Sequence, residues 1–192
     1  HSMIVNSKGE LVIYGASSSS NFPTVSNSYD NTFNGGSSTE AGYLTFSNGT
    51  DIVLAKLNND FTQLLSSTYY GGNNNDGIND GEEYLGLFRN YGDGNRGEVI
   101  VDKNDNILIS SVTISSDLPT NGGFQTTYGG GSQDGCVAKF NSNLSTLIFG
   151  SYFGGSGNDA CYSIKQNDAG EIYISGGTTS SNLQEVSGSY NS

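Results

Sequence analysis

Five carboxylates in the segment 73–96 could supply oxygen ligands to a hard cation. They are Asp76, Asp80, Glu82 and Glu83 in the stretch NDGINDGEE, and Asp93 in YGDGN. Because Ca²⁺ takes six to eight oxygens from carboxylates, carbonyls and water, Ca²⁺ is the one cofactor that the sequence suggests. The spacing does not fit a standard EF-hand loop, and Gly, Asn and Asp are also the residues that turns require. A solvated turn is therefore the alternative interpretation.

The same segment holds three aromatic residues and both arginines of the chain. An aromatic plane beside amide and charged groups is typical of sugar or protein recognition. The segment is therefore a candidate contact surface that would use stacking, hydrogen bonds and ion pairs. Its candidate ligand-binding residues are Tyr84, Phe88, Tyr91, Arg89, Arg96, Asp80, Glu82 and Glu83. A small local core that holds the segment together is the alternative role for these aromatics.

Paired carboxylates also suggest glycoside hydrolysis, in which two acids flank the scissile bond. Their separation in space does not follow from the sequence. The chain has no nucleophile elbow, P-loop or His/Cys metal cluster, and its single His is residue 1. We therefore assign no catalytic residue and expect a non-enzymatic protein, with a glycoside-acting enzyme as an alternative.

The composition predicts an all-β protein outside the nucleic-acid-binding and membrane classes. The 192 residues include 28 Gly, 12 Tyr and 9 Phe, and the formal net charge is −12. Many aromatic and β-branched residues separated by Gly, Asn and Ser are typical of short strands and turns. Seven Lys and Arg are too few to neutralise a phosphate backbone or an anionic membrane surface. No apolar run approaches the length of a membrane-spanning helix.

Strand patterns recur along the chain. A strand followed by a polar loop begins near residues 9, 106 and 171, with Leu11 and Ile107 separated by 96 residues and Ile107 and Ile172 by 65. Two further strands follow in the first two copies, DIVLAKLN and STYYGG at 51–58 and 67–72, then DGCVAKFN and GSYFGG at 134–141 and 150–155. A fourth strand is predicted at 97–101, at 160–165 and, truncated, at 4–5. Four short strands joined by tight turns such as DKNDN (102–106) are typical of a propeller blade.

Two insertions interrupt the repeats, and they define the predicted organisation of the chain. Residues 1–3 are interpreted as a tag remnant, and 4–192 as β-propeller repeats. The repeats comprise 4–72 with an insertion at 37–50, an inserted loop at 73–96, a second repeat at 97–155 and a partial third at 156–192. Insertions in a repeat array lie in loops, and loops often carry function. A β-solenoid is the alternative architecture.

The two cysteines, Cys136 and Cys161, are too few for a disulfide framework. Cys136 aligns with Val53 of the earlier copy, which favours a small buried apolar residue. A bond between the two thiols stays open at this point.

These motifs resemble the bacterial SBBP-type β-propeller repeat family of large secreted or cell-surface proteins. The likeness rests on DGCVAKFNSNLSTLIFGSYFGGSGNDACYSI, NDAGEIYISGGTTSSN and SDLPTNGGFQTTYGGG, and covers most of the chain apart from the insertions. The resemblance implies four-stranded blades around a channel, of which this chain holds about two and a half to three. It also implies a secreted or surface-attached adhesion module that recognises carbohydrate or protein, with a homo-oligomer as one way to complete the ring. A purely structural or oligomerising segment is the alternative.

Overall fold

The chain is built of short antiparallel strands. The computed structural model describes residues 1–41, 44–79, 87 and 93–183. Two four-stranded sheets come first along the chain. The first contains, in spatial order, β1 (Ser2–Val5), β2 (Leu11–Ser17), β5 (Asp51–Leu57) and β6 (Leu64–Tyr70). The second contains β7 (Glu98–Val101), β8 (Ile107–Thr113), β9 (Asp134–Phe140) and β10 (Leu147–Phe153).

Two strand pairs and a short 3-10 turn complete the described structure. A third sheet is formed by β11 (Asp159–Gln166) and β12 (Ile172–Thr178), and a small pair by β3 (Thr39–Ala41) and β4 (Leu44–Phe46). The 3-10 turn spans Asp93–Asn95. The prediction of an all-β fold is confirmed, with four antiparallel sheets of two to four strands. The sheets of the described residues form no closed ring.

In the first, second and third sheets, the turn between the first and second strands begins with an Asn or Asp, whose side chain accepts hydrogen bonds from the backbone of the turn. The Asp102 carboxylate accepts hydrogen bonds from the backbone nitrogens of Asn104 (2.8 Å) and Asn106 (2.9 Å), and Asn6 caps the β1–β2 turn in the same way. Asp105 adopts a left-handed conformation with φ of 60°, at the position that Gly9 and Gly170 occupy in the matching turns. The hairpin turn predicted at 102–106 is therefore confirmed.

The first two sheets pack face to face around the main apolar core. Fully buried side chains from the first sheet, such as Leu54 and Tyr70, contact Ile109, Ala138 and Phe140 of the second. The rings of Tyr70 and Phe140 meet edge to face with centroids 5.4 Å apart. Aromatic pairs in this geometry add to the stabilisation that burial of apolar surface provides.

The second and third sheets pack in the same manner. Leu108 and Val137 from the second sheet contact Cys161 and Ile164 of β11. Cys136 belongs to the first core and Cys161 to the second, and both thiols are buried and free. The prediction that Cys136 is a buried apolar residue is confirmed, and the two cysteines form no disulfide.

The first strand of each sheet lies beside the first strand of the next. β7 is in contact with β1 on one side and with β11 on the other. β1 begins at Ser2, two residues before the strand predicted at 4–5, and Ser2 and Met3 pair with Tyr14 and Ile13 of β2.

Candidate functional site

Both insertions leave the sheets at the same end. The insertion 37–50 connects β2 to β5, and the segment 73–96 connects β6 to β7. In the first sheet Ser17 pairs with Asp51, and Ile52 pairs with Tyr70, so these strand ends lie together. In the second sheet Thr113 pairs with Asp134 and is bridged to Asp76. We call this side of the molecule the insertion end.

The bases of the two insertions are hydrogen-bonded to each other. The Asn75 side-chain carbonyl accepts from the Thr50 backbone nitrogen at 3.0 Å, and the Thr50 carbonyl accepts from the Asp76 nitrogen at 2.8 Å. A Cβ added to Gly36 or Gly49 would lie only 2.5 or 2.3 Å from the Asn75 amide oxygen, so this junction requires glycine at both positions. The two loops therefore start from one fixed base.

Asp76 ties the first sheet to the second at this base. Its Oδ1 accepts a hydrogen bond from the Thr113 hydroxyl, and its Oδ2 accepts from the Gly72 nitrogen (2.8 Å) and the Ser115 hydroxyl (2.9 Å). The side chain is fully buried. Burial, assisted by the nearby charge of Asp51, raises the pKa of Asp76 to about 7 against the lowering effect of its hydrogen bonds. Of the five candidate Ca²⁺ ligands, Asp76 thus holds the two sheets together.

Asp159 repeats this contact 83 residues later, between the second and third sheets. Its Oδ2 accepts from the Gly155 nitrogen at 2.7 Å and the Ser180 hydroxyl at 2.6 Å. Sequence reasoning treated Asp76 only as a candidate Ca²⁺ ligand and did not identify the two aspartates as a repeated pair. The signal was present in GGNNND at 71–76 and GGSGND at 154–159, where the same Gly and Asp positions recur. We name Asp76 and Asp159 the sheet-linking aspartates.

A second pair of buried aspartates holds the long connections of the repeats. Asp51, at the start of β5, accepts hydrogen bonds from the backbone nitrogens of Asn34 (2.7 Å) and Gly35 (3.1 Å). Asp134, at the start of β9, accepts from the Gly129 nitrogen at 2.6 Å. Burial raises the pKa of each carboxyl to about 6. These four aspartates face backbone and hydroxyl donors of the loops, so their role is to fix the insertion end.

The segment 73–96 also reaches the third sheet. The Arg96 guanidinium lies 4.8 Å from the centroid of the Tyr162 ring on β11, a cation–π contact. The Tyr162 hydroxyl donates to the Leu87 carbonyl at 2.6 Å and accepts from the Asn79 side-chain nitrogen at 3.2 Å. Leu87 is buried with Val112 and Ala160. The segment therefore spans from the edge of the first sheet to the first strand of the third.

The candidate ligand residues are placed in part. Arg96 is anchored on Tyr162, as described above, while Asp93 lies in the 3-10 turn and its side chain lies outside the described residues. The other candidates lie outside the described residues altogether, and they are Asp80, Glu82, Glu83, Tyr84, Phe88, Arg89 and Tyr91. Within the described ranges no group of three or more His, Cys, Asp or Glu side chains is placed to hold a metal ion. The Ca²⁺ prediction for Asp76, Asp80, Glu82, Glu83 and Asp93 stays a prediction.

Comparisons with known proteins add no family to this description. No family model matches the chain, and no curated protein matches it at a significant level of similarity. The resemblance to SBBP-type repeats therefore stays a prediction from the residues. In the part of the chain that the structure describes, no helix has the length and apolar character needed to cross a membrane.

Proposed function

We propose that this chain is a non-catalytic binding module whose ligand contacts the insertion end. The observation that carries the proposal is the common origin of the two insertions, whose bases share the Asn75 and Thr50 hydrogen bonds. A rigid scaffold that presents two loops side by side is the usual arrangement for recognition by loops. The Arg96–Tyr162 contact fixes the far side of the second loop.

The scaffold is, in this proposal, part of a β-propeller. Three features support it: the meander order of the two four-stranded sheets, their face-to-face packing, and the contact of β7 with both β1 and β11. The repeated sheet-linking aspartates give each pair of neighbouring sheets the same contact. Antiparallel four-stranded sheets favour this architecture over a β-solenoid.

The ligand class that we propose is a carbohydrate or a protein outside the cell. The aromatic, amide and arginine side chains of 80–92 have the chemistry of such surfaces, and the net charge of −12 disfavours nucleic acid and anionic lipid. The likeness to SBBP-type repeats supports a secreted or cell-surface setting. In that setting the module would act in adhesion.

The test replaces residues 80–86 and 88–92 by Gly-Ser linkers and keeps Leu87, because Leu87 packs with Val112 and Ala160 of the scaffold. Wild type and variant are screened on glycan arrays and on immobilised extracellular-matrix proteins, with Ca²⁺ and with a chelator. We expect the wild type to bind saturably and the variant to lose at least about tenfold in affinity, as for the loss of a contact centre. A matched variant, Asp168→Asn, changes the β11–β12 turn at the opposite end and should bind as wild type does.

Unchanged binding by the linker variant would contradict the proposal. If the linker variant binds as tightly as wild type, the insertion end is not the contact surface. Binding that requires Ca²⁺ would support the predicted cation site of Asp76, Asp80, Glu82, Glu83 and Asp93.

A structural or oligomerising segment is the second candidate function. The observation that favours it is the set of exposed apolar side chains, including Met3 and Val5 of β1 and Phe124 of the β8–β9 connection, each more than half exposed. If this is the function, neither the wild type nor the linker variant should bind in the glycan or matrix-protein screens. Light scattering should then show a wild-type assembly of defined mass.

A further inference from the structure

An apolar groove runs beside β12, whose outer edge pairs with no other strand among the described residues. It has a volume of about 570 Å³, and its apolar lining includes Phe124, Phe149, Phe153, Ile172 and Ile174. Phe124 is 59% exposed although its ring contacts that of Phe153 at 5.6 Å. The third sheet has two strands among the described residues, whereas the first two sheets have four.

The interface between the first and second sheets shows what covers the surface that corresponds to this groove. Phe153 corresponds to Tyr70 of the first sheet, 83 residues earlier. Tyr70 is completely buried, and the ring that covers it is Phe140 of β9. Ile172 corresponds in the same way to Ile107, which is also completely buried. In the first interface the cover is thus supplied by Phe140 of β9, the third strand of the second sheet, which contacts Tyr70 across the interface and lies opposite Ile107 within its own sheet.

The ion pairs of the first two sheets also indicate that a third strand covers this surface. The lysine of each third strand pairs with an acid in the first hairpin turn of its own sheet: Lys56 with Glu10 at 3.1 Å, and Lys139 with Asp102 at 2.7 Å. In the third sheet the turn supplies Glu171. Its carboxylate accepts from the Asn167 side chain at 2.5 Å, as Glu10 accepts from the Asn6 side chain at 2.7 Å.

Glu171 differs from Glu10 and Asp102 in its ion pairing. No Lys or Arg within the described ranges forms an ion pair with Glu171. The pairing register gives the position of the missing cation. Lys56 lies opposite Val12, and Lys139 lies opposite Leu108. The corresponding residue of β12 is Tyr173, which is 57% exposed and donates a hydrogen bond to Glu171.

We propose that the groove and the edge of β12 bind a β-hairpin of the chain's own repeat class. Its first strand would carry the pattern D-x-x-x-A-K followed by an aromatic residue. This strand would pair with β12 in the register that places the lysine opposite Tyr173, from where its ammonium group reaches Glu171. Its aromatic side chains would cover Phe153 and Ile172. The occupant is a hairpin because β11 and β12 already fill the first two strand positions of the third sheet. The proposal is independent of ligand binding at the insertion end.

The test uses the full chain and a fluorescent peptide with the sequence of residues 133–155, which forms β9 and β10 in the intact fold. Fluorescence anisotropy should show saturable binding. A scrambled peptide and a peptide carrying Phe140→Asp should not bind. Because Phe124 is exposed, Phe124→Asp in the full chain should leave the fold intact, as circular dichroism would show, and abolish binding of the wild-type peptide.

A double-mutant cycle tests the register. A Lys139→Met peptide should bind the wild-type chain about twofold to fivefold more weakly, the range for a partly exposed ion pair. On a Glu171→Gln chain, the Lys139→Met peptide and the wild-type peptide should bind with equal affinity. Saturable binding with this coupling supports the proposal. Absence of binding, equal binding of the scrambled peptide, no coupling between Lys139 and Glu171, or a β12-mediated dimer that excludes the peptide would each overturn it.

Discussion

The free energy of unfolding should fall as the pH rises from about 5 to about 7. The cause is the buried aspartates of the insertion end, because burial raises the pKa of Asp76 to about 7 and those of Asp51 and Asp134 to about 6. In the unfolded chain such carboxyls titrate near their ordinary value of about 3.9. Between these values the folded protein binds more protons than the unfolded chain does.

The sign follows from that proton balance. Where the folded state binds the additional protons, raising the pH favours the unfolded state. The stability that protonation provides is complete below about pH 4 and is lost as the pH passes through the folded-state values of about 6 to 7. For Asp76 alone the loss is on the order of a few kcal/mol, since each unit of pKa difference corresponds to about 1.4 kcal/mol. This is a large part of the stability of an ordinary domain.

Other acids act in the opposite direction at lower pH. Although burial opposes it, the hydrogen bonds from Lys139 and Asn106 hold the pKa of Asp102 at about 2, and the pKa of Glu10 is lowered as well. Their contribution is lost as the pH falls below about 4. We therefore expect maximum stability between about pH 4 and 5, with a decline on both sides.

Urea unfolding at a series of pH values between 4 and 8 measures this profile. The variant Asp76→Asn cannot ionise at residue 76, so its stability should depend less steeply on pH between about 5 and 7. At pH 5 it should be close to wild type in stability, because the protonated carboxyl and the amide each offer one oxygen acceptor for the Gly72 and Ser115 donors and one donor group. Asp168→Asn, the same substitution at an exposed turn residue, serves as the control. A wild-type profile that is flat from pH 5 to 8 would contradict the prediction.

The strands could be predicted from the sequence because their signals are local. Alternating apolar residues bounded by Gly, Asn and Asp predict a strand and its turns within about ten residues. The repeats also predict which strands correspond: β5 begins at the predicted Asp51 and β9 at the predicted Asp134. Which face of a strand is most buried was harder to predict. Leu57 matches Phe140 in the repeat but is partly exposed, because the first sheet has a neighbouring sheet on only one side among the described residues.

The role of Asp76 could not be predicted, since its partners are distant along the chain. Thr113 and Ser115 follow it by 37 and 39 residues, and only the packing of the second sheet brings them to its carboxylate. Within its own segment Asp76 looks like one of several acids that could bind a cation. The common position of the two insertions was equally hidden, because it depends on the order in which the strands pair.

Phe140→Ala should cause the largest loss of stability among core substitutions that leave the charges unchanged. Phe140 is fully buried, and its ring contacts Tyr70 (5.4 Å) from the first sheet and Tyr29 (5.5 Å) from the first repeat's long connection. Truncation would remove both contacts and leave a cavity that the two rigid sheets cannot close. A loss of about 3–5 kcal/mol in the free energy of unfolding is expected for such a site.

Leu57→Ala is the matched control for this prediction. Leu57 occupies the same repeat position 83 residues earlier, at the end of β5, but on the outer face of the first sheet. Because it is partly exposed, its truncation should cost about 1 kcal/mol or less. Urea unfolding of both variants at pH 5, where the buried aspartates are largely protonated, separates the two effects from the pH dependence. Equal losses would mean that the interface between the first and second sheets contributes little, and that each four-stranded sheet is stabilised mainly by its own strand pairing.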